Sequence, residues 1–175
     1  MRAATKRSHP HRASGELHES TIRPARRADT ADLMRLIRAY YRFDHIRFVP
    51  AAIAPALERL LRSPSLGRVW LMCADGKTVG YLMLSFNFDL EFGGVQGYVT
   101  DLYLDEASRG KGLGRRALDI VDDYCRKHGI GTIELQVERA NTGAQTFYRR
   151  LGFTRHNRIV MTREVRRKPS LVIER

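Results

Sequence analysis

The spacing of apolar residues changes period several times along the chain, and each change marks an element. Leu33, Leu36, Ile37 and Tyr40 recur at helical spacing behind Asp29, which the pattern casts as the cap of an amphipathic helix. A short strand at residues 21–24 precedes it. Ile53, Leu57, Leu60 and Leu61 form a second stripe, over residues 51–61, and Pro55 is expected in that helix's first turn, where proline's missing N–H is harmless. Residues 68–74 and 78–88 read as strands. Asp75-Gly76-Lys77 joins them, and the Asp-Gly pair predicts a tight antiparallel hairpin.

Residues 89–94 then turn the chain into a strand at 98–104. Strict alternation would place Tyr98, Thr100, Leu102 and Leu104 on one face and Val99, Asp101 and Tyr103 on the other. Residues 109–114 then lead into a helix running to about residue 128, packed through Leu118, Val121, Tyr124 and Cys125 and ended by Gly129. A strand at 132–137, a short helix at 142–151 and a strand pair at 153–156 and 158–162 complete the pattern. There is no internal repeat. A hairpin followed by strand, helix, strand and helix predicts an α/β fold: a mixed, partly parallel sheet with helices on both faces.

Length and charge refine this picture. The chain has 175 residues, enough for one domain with a real core, expected over residues 20–163. Residues 1–19 have no hydrophobic period and are expected to form a disordered basic arm; residues 164–175 read as a basic tail. Lysine and arginine number 31 against 19 acids, a net charge of +12, so nucleic acid is a partner class to weigh. The charge is dispersed, however, and no basic helix with interleaved base-reading residues stands out, which makes nucleic acid the lesser reading. No apolar run suits a membrane helix or a secretory signal. Cys73 and Cys125 sit in apolar segments, as packed thiols in a reducing cytoplasm would, and no histidine joins them at metal-ligand spacing. No metal is expected.

The candidate chemistry lies between strand and helix, in Arg109, Gly110, Lys111, Gly112, Leu113, Gly114, Arg115 and Arg116. Alternate glycines permit positive φ, letting successive amides face one hollow at the positive end of a helix dipole. Such a hollow attracts phosphate. A triphosphate P-loop is absent, and a dinucleotide fingerprint counted from Gly110 would place Arg115 where its third glycine belongs.

This loop resembles the acetyl-CoA loop of the GCN5-related N-acetyltransferase (GNAT) superfamily, Arg/Gln-x-x-Gly-x-Gly/Ala, here residues 109–114 after the strand Asp101-Leu102-Tyr103-Leu104. A second family motif is matched by Leu135, Val137, Asn141, Ala144, Phe147-Tyr148 and Leu151-Gly152-Phe153. Even Ile22-Arg23-Pro24-Ala25 and Asp29-x-x-Asp32 look like the superfamily's first strand and helix, so the likeness covers residues 21–162.

The resemblance implies a central splay in the sheet, with acetyl-CoA as cosubstrate. The pantetheine arm would pair with the backbone of Leu102, Tyr103 and Leu104, and the pyrophosphate would rest on residues 109–114, with Arg115, Asn141 and Ala144 also contacting the coenzyme. Tyr148, which also stands among the coenzyme contacts, matches the family tyrosine that protonates the departing thiolate; the other reading is an aromatic that only packs there or binds the coenzyme sulfur. Where the polyamine-type branch often has a glutamate, this chain has Thr100, which cannot act as base at neutral pH. Asp101, or a water it holds, is the next candidate, with Glu138 and Glu91 in reserve. The acceptor expected is a small cationic amine, for which Tyr40, Tyr41, Asp44, Phe86, Asp89 and Glu91 could supply aromatic and acidic contacts. A non-catalytic coenzyme-binding fold and a homodimer both remain open.

Overall fold

The structure is a computed structural model and describes residues 19–163 and residue 165. The expected basic arm and tail therefore lie outside the described residues, apart from Glu19 and Val165. Five strands form one sheet in the order β1-β2-β3-β4-β5: β1 (Ser20–Pro24), β2 (Gly67–Ala74), β3 (Lys77–Asp89), β4 (Gly94–Leu104) and β5 (Ile133–Leu135). The first four are antiparallel neighbours, while β4 and β5 run parallel. Four helices complete the fold: α1 (Thr30–Phe43), α2 (Pro50–Arg62), α3 (Leu113–Lys127) and α4 (Thr142–Arg150). The mixed sheet predicted from the sequence is present. Among the described residues no helix is long and apolar enough to cross a membrane.

The strands divide two cores between their faces. Trp70, Met72, Leu82 and Leu84 point to α3, where they meet Leu113, Leu118 and Val121, with Phe147 and Tyr148 of α4 packed alongside. Val69, Leu71 and Tyr81 point the other way, to Leu33, Leu36 and Ile37 of α1 and Ile53 and Leu57 of α2. Asp75 and Gly76 join β2 to β3 with φ of 49° and 73°, the doubly positive pair whose twist matches that of the flanking strands. Cys125 is buried, and burial pushes its thiol up to about 11, in keeping with a packed rather than reactive role.

Four sequence expectations need correction. Strict alternation fails in β4: Asp101 faces Met83 but Val99 faces Leu84, so Thr100 is an extra residue in a bulge. Val99 therefore joins the α3 core with Leu102 and Leu104, while Asp101 and Tyr103 turn toward α1. Asp29 precedes α1 but makes no side-chain cap to it. Its carboxylate instead takes a bidentate pair from Arg23, at 2.8 and 2.7 Å, and accepts the Arg26 N–H at 2.7 Å.

Pro55 lies inside α2, because the helix begins earlier, with Pro50 in its first turn. An interior proline costs about 3 kcal/mol. Burial of Ile53 and Leu57, at roughly 1.5–3 kcal/mol each, offsets it. Finally, residues 153–163 form no strands. Phe153 packs on the α3 side and its N–H bonds the Tyr148 carbonyl at 3.1 Å, but Ile159, Val160 and Met161 are exposed and have no ladder to join. A run of β-forming side chains makes a strand only against a partner.

Candidate functional site

The parallel pairing of β4 with β5 is brief. It joins Gly97, Tyr98 and Val99 to Ile133, Glu134 and Leu135, after which β4 continues to Leu104 with no strand on that side among the described residues. The opposite edge of β4 stays paired with β3, and the Asp105 N–H donates to the Val79 carbonyl at 2.8 Å. Antiparallel pairs alternate in bonding, so Tyr103 turns its backbone groups to β3 and Leu102 and Leu104 turn theirs to the open side. An open edge of this kind can accept one more extended chain.

At the end of that edge the chain enters α3. Gly110 and Gly112 have φ of 73° and 81°, with open space where a Cβ would project. Glycine is thus required there by backbone conformation, not by crowding. Gly112 is the N-cap, so the first amides of a fifteen-residue helix follow directly. Leu113 is buried and anchors the turn, while Lys111 and Arg115 are exposed around it. Gly114 serves closeness instead: a Cβ there would lie 3.4 Å from the Phe147 ring of α4 and 3.8 Å from Leu104.

The arginines are less free than their number implies. Arg109 folds back, its Nε–H donating to the Leu104 carbonyl at 2.9 Å and its guanidinium lying 4.7 Å from the Phe43 ring centroid and 5.9 Å from that of Tyr103. Arg116 reaches β1, donating to the Ser20 hydroxyl and carbonyl at 2.6 and 3.0 Å.

Asn141 caps α4, its Oδ1 accepting the Ala144 N–H at 3.0 Å. The cap starts the helix that carries Tyr148, whose ring packs 5.2 Å from Phe147 and 5.6 Å from Phe153. Burial pushes its phenol up to about 12, so at neutral pH it holds its proton as a donor.

Asp101 lies on the α1 side, where its Oδ2 accepts the Tyr81 hydroxyl at 2.8 Å. Burial pushes its carboxyl up to about 6; the Tyr81 hydrogen bond opposes the rise and the Asp44 charge adds to it. Tyr40 is raised by burial and by the charges of Asp101 and Asp44, and it also feels Tyr148 from α4. Tyr41 is raised by burial and then by Asp101. Tyr40 further packs 5.8 Å from Tyr41 and 6.0 Å from Tyr103. Two carboxylates thus share an aromatic wall formed by the end of α1, β3 and β4.

The remaining sequence candidates lie apart. Phe86 stacks on Tyr124 in the α3 core at 6.1 Å. Asp89 caps the β3–β4 turn through the Glu91 N–H at 2.9 Å, and Glu91 is bound by Arg158 at 2.7 Å through both carboxylate oxygens. Glu138 is exposed in the turn before α4. Sequence reasoning missed Tyr81, because a tyrosine in an apolar strand reads as core. Among the described residues no group of three or more histidines, cysteines and acids is placed to hold a metal.

Two shallow hollows lie away from the glycine loop. One, lined by Arg27, Pro55 and Glu58, lies between the start of α1 and α2; another, lined by Tyr41, His45 and Arg47, opens at the end of α1 beside the aromatic wall.

Comparison with known proteins is consistent with this geometry. The model of the acetyltransferase (GNAT) family matches residues 30–153. An uncharacterized N-acetyltransferase of Methanocaldococcus jannaschii is 29% identical over 136 residues, covering 76% of this chain and 60% of that protein. A mycothiol acetyltransferase of Geodermatophilus obscurus is 43% identical over 60 residues, 34% of this chain and 20% of that protein. The chain thus spans less than two thirds of the length of either relative. A solved integron cassette protein from the mobile metagenome of Cole Harbour salt marsh superposes with a TM-score of 0.75 at 30% identity, covering 84% of this chain and 91% of that one.

Proposed function

The chain belongs to the acetyltransferase (GNAT) family, and from that premise we propose that it transfers the acetyl group of acetyl-CoA to the primary amine of a small cationic acceptor. The observation that carries this reading is the continuity of the open β4 edge with the glycine loop at the start of α3. Leu102 and Leu104 offer backbone donors and acceptors to the pantetheine arm, and the amides from Gly110 to Gly114 meet the pyrophosphate, since the Arg109 N–H already donates to the Glu106 carbonyl at 3.1 Å. Arg109 releases the Leu104 carbonyl as the arm pairs there. Lys111 and Arg115 add charge around the diphosphate. Asn141 and Ala144 act through the start of α4, which presents Tyr148.

The acceptor approaches from the α1 side, where Asp44, Asp101 and the rings of Tyr40, Tyr41 and Tyr103 favour a cation. Asp101, directly or through a water, takes a proton from the ammonium. The freed nitrogen lone pair attacks the thioester carbonyl, forming the C–N bond, and collapse of the adduct breaks the C–S bond. Tyr148 gives its proton to the leaving thiolate and recovers one as the amide nitrogen sheds its second. A carboxyl near 6 is largely ionised at neutral pH and more basic than an ordinary aspartate, while a phenol near 12 is protonated.

The direct test is thiol release from acetyl-CoA across a panel of polyamines, aminoglycosides, amino acids and peptides. Release that requires a small polyamine or aminoglycoside supports the proposal. Calorimetric binding of acetyl-CoA without release in any arm indicates a coenzyme-binding fold without catalysis, and absence of both removes the enzyme reading.

A further inference from the structure

Tyr81 presents a question that packing alone does not answer. It is fully buried among Leu33, Leu36 and Leu71 between β3 and α1, where phenylalanine would fill almost the same space. Burying a hydroxyl is costly unless it is hydrogen-bonded. Its partner is Asp101 Oδ2 at 2.8 Å, and the two meet because the bulge at Thr100 turns Asp101 onto the face that Tyr81 occupies. A regular β4 would have left the carboxylate on the side of Val99 and α3.

We infer that Tyr81 is a positioning residue for acetyl transfer: its hydroxyl, immobilised by the core, occupies Oδ2 of Asp101 and leaves Oδ1 for the acceptor's proton. The inference rests on the reading of Asp101 as base. The aromatic packing makes the arrangement stiff, since the Tyr81 ring lies 6.4 Å from that of Tyr103, which in turn meets Tyr40 and Arg109. Charged and titratable groups face Asp101 from several elements: Tyr81 from β3, Tyr40, Tyr41 and Asp44 from α1 and its end, and Tyr103 from β4 itself, with Arg109 beyond that ring. Of these, Tyr81 is the one that donates a hydrogen bond to the Asp101 carboxylate.

The test is the pH dependence of kcat/KM in the full chain, using the best amine from the acceptor panel. Asp101→Asn is measured first, and it is expected to abolish the acidic limb. Tyr81→Phe removes the donor without changing the ring, and it is expected to move that limb upward by about 1 pH unit or more, as loss of a hydrogen bond to a charged group implies. The KM for acetyl-CoA stays unchanged. Incorporation of 3-fluorotyrosine at position 81 keeps the packing and strengthens the donor, so it shifts the limb downward even if Tyr81→Phe folds poorly. If the limb responds to Asp101→Asn but to neither change at position 81, the positioning role is overturned and the base assignment stands. If Asp101→Asn leaves the limb in place, both fall. Titration of the Asp101 carboxyl carbon by NMR separates that case from a lost hydrogen bond, because it reads the Tyr81 contact without turnover.

Discussion

The guanidinium of Arg109 lies over the ring of Phe43, 4.7 Å from its centroid, while its Nε–H binds the Leu104 carbonyl. The first cation of the glycine loop is thereby turned toward the end of α1. What remains at the mouth of α3 is the run of amides that follow two positive-φ glycines, with the solvated side chains of Lys111 and Arg115 around them. The coenzyme site proposed here consequently depends more on the glycines than on the charges. Gly112→Ala places a Cβ in open space but forces a left-handed φ, at roughly 1–2 kcal/mol. Calorimetry is expected to show an acetyl-CoA affinity about tenfold weaker for Gly112→Ala, since about 1.4 kcal/mol is tenfold. Lys111→Ala is expected to cost less than half as much in free energy. The reverse order would place the diphosphate on side chains.

Tyr148→Phe is expected to lower turnover by roughly 10²- to 10⁴-fold while leaving acetyl-CoA binding intact. The ring contacts to Phe147 and Phe153 survive the change, so a melting temperature close to that of the unaltered protein should accompany it. Undiminished turnover would remove the phenol from the mechanism.

Most of the site's frame was legible because its signals are local. Asp75-Gly76 announces a hairpin through the backbone angles that only such pairs adopt readily, and residues 109–114 announce a strand-to-helix turn through glycine spacing. What escaped depends on partners distant in sequence. The bulge at Thr100 becomes visible only when β4 is aligned against Met83 and Leu84. Asp29 has the look of a helix cap, yet Arg23, six residues away across a turn, captures both its oxygens. Residues 158–162 have the composition of a strand, but the outer edge of β5 does not recruit them.

The Arg23–Asp29 pair makes a prediction about acid stability. The guanidinium and the Arg26 amide hold the Asp29 carboxyl down to about 2, below its ordinary 3.8, against the opposing effect of burial. A depressed folded-state value stabilises the protein above the unfolded value and loses that contribution as pH falls through 3.8 toward 2. Arg23 is substantially solvated, so after screening the pair contributes on the order of 1 kcal/mol. Asp29→Asn is therefore expected to lower the melting temperature at pH 7 and to converge on the unaltered protein near pH 2. A gap that stays constant across this range would assign the effect to the loss of packing around Asp29 and not to its charge.

Glu91 offers the contrasting case of a carboxylate that resembled a candidate base and is otherwise engaged. Both of its oxygens are bound by Arg158, and that contact ties the exposed 159–161 segment to the tip of the β3–β4 hairpin. Since an exposed ion pair is screened by salt, its role is local fastening more than global stability. Glu91→Gln is expected to raise the backbone mobility of residues 158–161 seen by NMR relaxation, and to do so more at low ionic strength, where the intact pair is strongest. The pH profile of turnover should keep both limbs, because Asp101 lies on the α1 face of β4 and receives its hydrogen bond from Tyr81, not from this end of the hairpin. A displaced acidic limb in Glu91→Gln would return Glu91 to the mechanism and take the base assignment away from Asp101.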